Sequence, residues 1–350
     1  MHTHEQFMYR ALFLAQKGLP AAMPNPSVGA VIVHKDTIIG EGSTSAFGGS
    51  HAEVNAINSV KNKELLKEST IYVTLEPCSH YGKTPPCADL IVKMQIPNVV
   101  IGCVDPYVEV AGKGIEKLKN AGVNVIVGVL EKECIESNKR FFTFIQKKRP
   151  YIILKWAESA DGFIAPTEKN EQKPVWISNN YSRQLTHKWR SEEMGILVGT
   201  KTVLDDNPSL TTRDFVGKNP VRIYIDANHK IDASFTITNT ESKTICLCAE
   251  FPLKSIDQII YKKIDLNNLP AEVNRICVEE NIQSIIIEGG SHTLQQFIDA
   301  ELWDEARVFK TAVILNNGIT APKLSDYQKT TSVFIENDCL GVYRKKQSDF

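Results

Sequence analysis

The chain has 350 residues, 42% hydrophobic and 23% charged, with 40 Lys and Arg against 41 Asp and Glu and a net charge of −1. The length suggests two domains of ordinary size, each able to bury a core. Near-neutral charge with no long basic run argues against a nucleic-acid or membrane-surface binder.

In chain order, a helix is expected over residues 5–18, where Phe7, Met8, Ala11, Leu12 and Ala15 recur at helical spacing and Gly18 closes the run. Residues 28–33 read as a buried strand with 38–42 as its hairpin partner. His51 opens a helix through Ile57, and a strand over 70–75 delivers Cys78. A helix follows Cys87 through Leu90, Ile91 and Met94; then come a strand at 99–103, a helix near 113–120 and a strand at 123–127. Ala111-Gly112-Lys113-Gly114 is a weak phosphate-loop match and reads as a turn before a helix. Residues 131–146 read as one charged helix, and Lys147-Lys148-Arg149-Pro150 as a solvated boundary. Beyond it, strands are expected at 151–155, 195–198, 221–226, 244–248, 284–288 and 307–315, and helices at 181–190, 270–280 and 293–300. Strands alternating with helices imply α/β layers. The two halves share no motif, so two different folds in tandem are expected, over 1–147 and 148–350.

No apolar run is long enough to span a bilayer, and Met1-His2-Thr3-His4-Glu5 begins polar, without a signal-peptide core. Eight scattered cysteines fit a reducing compartment better than a disulfide scaffold, so a cytoplasmic protein is expected.

One constellation carries chemistry. His51-Ala52-Glu53 precedes Pro77-Cys78-Ser79-His80-Tyr81-Gly82-Lys83-Thr84-Pro85-Pro86-Cys87. One imidazole and two thiols are the ligand set of a catalytic zinc, whose fourth position stays open. A structural site would require a fourth ligand; no further Cys lies close by, and His80 in the inter-cysteine loop reads as a group at the mouth of the site. Glu53, two residues after His51, can sit beside the metal without binding it, as the proton-carrying Glu of zinc deaminases does. If the three ligands sit at helix starts, the positive helix ends favour thiolates there. The nucleobase-deaminase signature has two residues between its cysteines; the loop here is longer and places His80 and Lys83 at the mouth of the site, suiting a small substrate with an anionic or polar group. In the second half no Gly-x-Gly-x-x-Gly follows a strand. Ile285-Ile286-Ile287-Glu288-Gly289-Gly290-Ser291 reads equally as a phosphate-accepting helix start or a tight strand-to-helix turn.

Pro24-Asn25-Pro26-Ser27-Val28-Gly29, His51-Ala52-Glu53, Thr74-Leu75-Glu76-Pro77-Cys78-Ser79-His80, Gly82-Lys83-Thr84-Pro85-Pro86-Cys87 and Asp105-Pro106 resemble the RibD family of bifunctional deaminase/reductases of riboflavin biosynthesis. The resemblance continues through Asp161-Gly162, Trp176-Ile177-Ser178, Asp205-Asp206-Asn207-Pro208 and Glu288-Gly289-Gly290, and so covers nearly the whole chain. It implies a cytidine-deaminase-like α/β/α domain followed by a dihydrofolate-reductase-like α/β domain that uses NADPH. It further implies that Asn25, His80 and Lys83 meet a pyrimidine ribotide, with zinc on His51, Cys78 and Cys87. In the second domain it implies cofactor contacts from Lys155, Ala157, Trp176, Thr202, Asp206, Gly290 and Ser291, with Lys155 near hydride transfer. Arg190, Leu210, Arg213 and Glu288 would meet the substrate there. A homo-oligomer with no nucleic-acid or membrane partner is expected.

Departures from the family pattern are Thr44 where many members have His, Pro174 and Ala227 where Ser is frequent, and Asn316-Asn317-Gly318-Ile319-Thr320-Ala321-Pro322 in place of a more regular run. Two rival readings are another nucleobase or nucleoside deaminase with a non-catalytic second domain, and a zinc-stabilised binding protein. The long inter-cysteine loop counts against the first. Glu53, which a structural metal would not need, counts against the second.

Overall fold

The computed structural model describes residues 3–81, 85–107 and 111–346. Contacts divide the chain into two compact units, one ending at Lys148 and one beginning at Arg149.

In the first unit, helix α1 (Thr3–Gly18) buries Met8, Ala11, Leu12 and Ala15, the stripe its spacing predicts. Strands β1 (Gly29–His34) and β2 (Thr37–Ser43) form the expected hairpin and helix α2 (Ala52–Ser59) follows. Strand β3 (Thr70–Leu75), helix α3 (Cys87–Lys93), strand β4 (Asn98–Cys103), helix α4 (Lys113–Asn120) and strand β5 (Asn124–Val127) continue the alternation. The sheet order is β2-β1-β3-β4-β5, antiparallel up to β3 and parallel beyond it. β1, β3 and β4 are buried almost throughout, which is why they read as unbroken apolar runs. A Cβ on Gly29 would lie 1.8 Å from the Ala11 carbonyl of α1, while one on Gly42, the register partner of Ala30, would lie 2.4 Å from Ala52 of α2. Successive β1 residues thus put the two helices on opposite faces, the α/β/α layering expected.

The helix expected over 131–146 is two helices, α5 (Glu131–Ser137) and α6 (Lys139–Lys147). Asn138 breaks it at φ −116°, ψ 27°, its carboxamide turned inward to the backbone of Ser27. A polar residue serving a distant strand overrides helical periodicity here.

The second unit opens with β6 (Tyr151–Glu158) and the short β7 (Phe163–Ala165), then α7 (Asn180–Glu192), β8 (Gly195–Val198), α8 (Thr200–Asp206) and β9 (Val221–Ile225). There follow β10 (Thr244–Cys248), β11 (Ile259–Lys263), α9 (Leu269–Glu279), β12 (Ser284–Ile287), α10 (Ser291–Asp299) and β13 (Glu305–Lys310). The chain closes with β14 (Ile319–Thr320), β15 (Tyr327–Ile335) and β16 (Asp338–Lys345). The main sheet runs β11-β10-β9-β8-β12-β6-β13-β16-β15, parallel from β11 to β13 and antiparallel through the last hairpin. Alternate β6 residues feed two cores. Ile152, Leu154 and Trp156 join Leu269, Val273 and Phe297; Tyr151 and Ile153 join Trp189 and Val203.

The strand expected over 307–315 ends at Lys310. Past it, the N–H groups of Leu315 and Asn316 donate to the Asp161 carboxylate instead of to a sheet neighbour. Helix α8, strand β11 and the β15–β16 hairpin were not foreseen. β15 is exposed at every residue before Ile335, so no burial alternation marks it.

Candidate active sites

In the first unit the end of β3 meets the starts of α2 and α3. His51 caps α2 in extended conformation, and Cys87 is the first residue of α3. Cys78 is not at a helix start, so the helix-end argument reaches only His51 and Cys87. It lies in the loop leaving β3, and its Sγ accepts the N–H of Cys87 at 3.3 Å. His51 Nδ1 is 3.6 Å from Cys78 Sγ and 3.4 Å from Cys87 Sγ, and the three ligand atoms all lie within 4.8 Å of one another. Tetrahedral zinc holds an imidazole nitrogen and a thiolate about 3.6 Å apart, so the spacing fits that ion. The hydrogen bond from Cys87 pulls the Cys78 thiol down to about 4, and the same hydrogen bond, then burial, pushes Cys87 up.

Glu53 stands in the first turn of α2, only 3% exposed. Burial, and then the Cys78 charge, push its carboxyl up to about 7. A cavity of about 690 Å³ opens over these groups, with Asn25, Thr44, His80, Asp105, Tyr107 and Lys113 also in its wall. Lys83 lies outside the described residues.

In the second unit a cavity of about 540 Å³ sits where β8 and β12 run into α8 and α10. These strands are neighbours in the parallel sheet, so two helix N-termini open side by side at their carboxyl ends. Lys155, Ala157, Trp176, Thr202, Asp206, Glu288, Gly290 and Ser291 all line it. A Cβ on Gly289 would lie 2.5 Å from Val198 Cα, so only glycine lets the two strand ends meet this closely. Glu288 and Arg190 form a buried two-point pair, Nε to Oε1 at 2.8 Å and Nη2 to Oε2 at 2.7 Å, and Arg190 Nη1 donates to the Thr211 carbonyl. Burial would raise Glu288, but the Arg190 charge and its hydrogen bonds prevail and hold it at about 2. Lys155 lies half-buried beside them, and its partial desolvation lowers its ammonium. Arg190, Leu210 and Arg213 are outside the cavity wall among the described residues. Leu210 is itself buried at φ 54°, while Arg213 is exposed.

A family model described as the RibD C-terminal domain matches residues 150–342, and the cytidine and deoxycytidylate deaminase zinc-binding region matches residues 1–103. The riboflavin biosynthesis protein RibD of Aquifex aeolicus is 39% identical over 326 residues, covering 90% of this chain and 89% of that protein. Its counterpart from Bacillus amyloliquefaciens is 41% identical, covering 91% and 87%. The chain belongs to the RibD family. A Thermotoga maritima diaminohydroxyphosphoribosylaminopyrimidine deaminase/5-amino-6-(5-phosphoribosylamino)uracil reductase superposes with a TM-score of 0.90 at 36% identity, covering 98% of this chain and 99% of that one. As a RibD-family protein the chain is a bifunctional enzyme of riboflavin biosynthesis, a zinc-binding, cytidine-deaminase-like domain followed by a dihydrofolate-reductase-like, NADPH-dependent reductase domain. No helix among the described residues is long and apolar enough to cross a membrane.

Several residues of this RibD-family site were not singled out from sequence. The Glu76 carboxylate accepts the N–H groups of Asp105, Gly112, Gly114 and Ile115, fixing the start of α4 beside the zinc cavity. An acidic residue at a buried strand end, ahead of a Gly-Lys-Gly turn, was the available signal. Thr44, noted only as a departure, is buried: its Oγ1 accepts the Val28 N–H at 2.9 Å and its own N–H donates to the Val28 carbonyl. Lys169, which also lines the reductase cavity, is ion-paired with Asp206.

Proposed function

We propose that the first unit hydrolyses the 2-amino group of 2,5-diamino-6-(5-phosphoribosylamino)pyrimidin-4(3H)-one, and that the second reduces the ribosyl chain of 5-amino-6-(5-phosphoribosylamino)uracil to ribityl. The observation that carries the first half is the His51, Cys78 and Cys87 cluster, with His51, Cys78 and buried Glu53 in one cavity wall. Zinc held by those three residues supplies a Lewis acid that makes water nucleophilic near neutral pH. Glu53 takes one proton from the attacking water and passes it to the ring nitrogen, then takes the second from the added hydroxyl and passes it to the amino group, which leaves as ammonia while the carbonyl forms. A carboxyl raised to about 7 by burial suits a group that must both take and give a proton. Asn25 and His80 orient the pyrimidine, and Lys83 meets the phosphate end.

In the second unit, NADPH supplies the hydride. The reading places Lys155, Ala157, Trp176, Thr202, Asp206, Gly290 and Ser291 on the cofactor, supported by their common cavity. Arg190, Leu210, Arg213 and Glu288 form the substrate side. The guanidinium fork of Arg190 is taken by Glu288, so its role in this reading is to orient that carboxylate, and exposed Arg213 is the cation for the sugar phosphate. The domain division at 147/148 belongs to the same proposal, as does a cytoplasmic setting, which eight unpaired cysteines support. Self-association is also part of it, supported by the bare edge strand β15 with exposed Val333 and Phe334. Purified protein incubated with the diaminopyrimidine phosphate, with and without NADPH, should give the deaminated product alone without cofactor and the ribityl product with it, as resolved by mass. Unchanged substrate in both arms would refute the reading.

A further inference from the structure

The wall of the zinc cavity that carries Asn25 is an irregular segment between α1 and β1. Its backbone has no regular ladder of its own before Gly29, yet Ser27 is fully buried and Val28 nearly so. Buried peptide groups need partners, and here side chains from distant parts of the chain provide them. Thr44 Oγ1 accepts from Val28, and Thr74 Oγ1 accepts from Gly29 at 3.2 Å. The most complete clamp is Asn138. Its Oδ1 accepts the Ser27 N–H at 2.8 Å and its Nδ2 donates to the Ser27 carbonyl at 2.9 Å, both bonds buried. One carboxamide thereby serves both backbone groups of a single residue, as a neighbouring strand would.

Asn138 interrupts what would otherwise be one continuous helix, so this side chain is delivered at the expense of helical regularity. The same turn leads into α6, whose Phe141 lines the zinc cavity. Asn25 lies two residues before the clamped Ser27, with the rigid Pro26 between them.

We propose that Asn138 is a positioning residue for deamination, whose carboxamide clamp on Ser27 sets the Asn25 wall of the zinc cavity. This rests on the reading of that cavity as the pyrimidine site. Asn25 would hold the ring equally before and during reaction, so loosening it should act on KM and leave kcat nearly intact. The Asn138→Ala protein leaves two buried backbone groups without partners. It should retain one zinc per chain and unchanged NADPH-dependent reduction of supplied deaminated substrate, with a deaminase KM raised about tenfold or more and kcat within about threefold of the parent. The Ser27 amide should lose its hydrogen-exchange protection in the same variant. Asn138→Asp keeps an acceptor for the Ser27 N–H and loses the donor to its carbonyl. A smaller rise in KM is expected from it, and it takes over the test if the Ala variant does not fold. An unchanged KM in either zinc-loaded variant, or a loss confined to kcat, would overturn the proposal. Failure of the parent enzyme to deaminate would instead remove the underlying reading.

Discussion

In the proposed metal centre Cys87 would contribute two atoms, its Sγ as ligand and its N–H, which donates to Cys78 Sγ. Cys87→Ala should therefore lose most of the bound zinc; metal analysis showing full retention would refute the ligand set. Glu53→Gln should keep the zinc and lose deamination by at least about a hundredfold, because an amide cannot accept the water's proton. Reduction of pre-deaminated substrate by that variant should be unaffected. A third expectation concerns His187, buried with Nδ1 3.0 Å from the Thr211 carbonyl. Burial first, then the Arg190 charge, hold its imidazole down to about 4, against 6.5 for an ordinary histidine. Between those values the unfolded chain binds a proton that the folded one refuses, so stability falls as pH drops from 6.5 toward 4. In His187→Gln the Tm should decline less steeply over that window; parallel slopes would show that another group governs it. At this scale the clustering of His51, Cys78 and Cys87, with Glu53 nearby, was legible because it is carried by residue type and short spacing. Glu76, Thr44 and Asn138 were not, because each acquires its role from a backbone partner 16 to 111 positions away.

The strand-to-helix joins of β8–α8 and β12–α10 form one crevice only because their strands are adjacent in the sheet. Gly289→Ala should force them apart, since the new methyl would meet Val198 Cα at 2.5 Å. Overpacking of this kind costs about 1–3 kcal/mol, and a comparable loss from cofactor binding predicts NADPH affinity lower by roughly tenfold. Deamination and zinc content should be unchanged. Titration showing parental affinity would mean that the crevice is not where the nucleotide binds. Elements with strong periodicity, such as α1 and the buried strands, were readable in place and type. α8 was not, because its seven residues fully bury only Val203 and so carry no apolar stripe. β15 was not, because its exposure leaves no contrast between its two faces.

Across the whole molecule, the division at Lys148 and Arg149 follows a basic, Pro-terminated stretch visible in the sequence. A fragment ending near residue 148 should bind zinc without NADPH, and the complementary fragment should bind NADPH without zinc. Preferential binding of NADPH over NADH by the latter, measured by titration, is expected from its family; binding of neither would mean that the second unit depends on the first. The strand order of the second unit also has a temporal meaning. β6 is the first strand of that unit to be synthesised, yet its neighbours in the sheet are β12 and β13, and Tyr151 pairs with Ser284. Its centre cannot close until more than a hundred further residues have left the ribosome. By contrast, β1 finds β2 and β3 within a few dozen residues, and the His51, Cys78 and Cys87 cluster lies wholly before residue 88. Nascent chains should thus acquire zinc while the reductase is still an open row of strands, and refolding of the full chain should show metal uptake well ahead of cofactor binding.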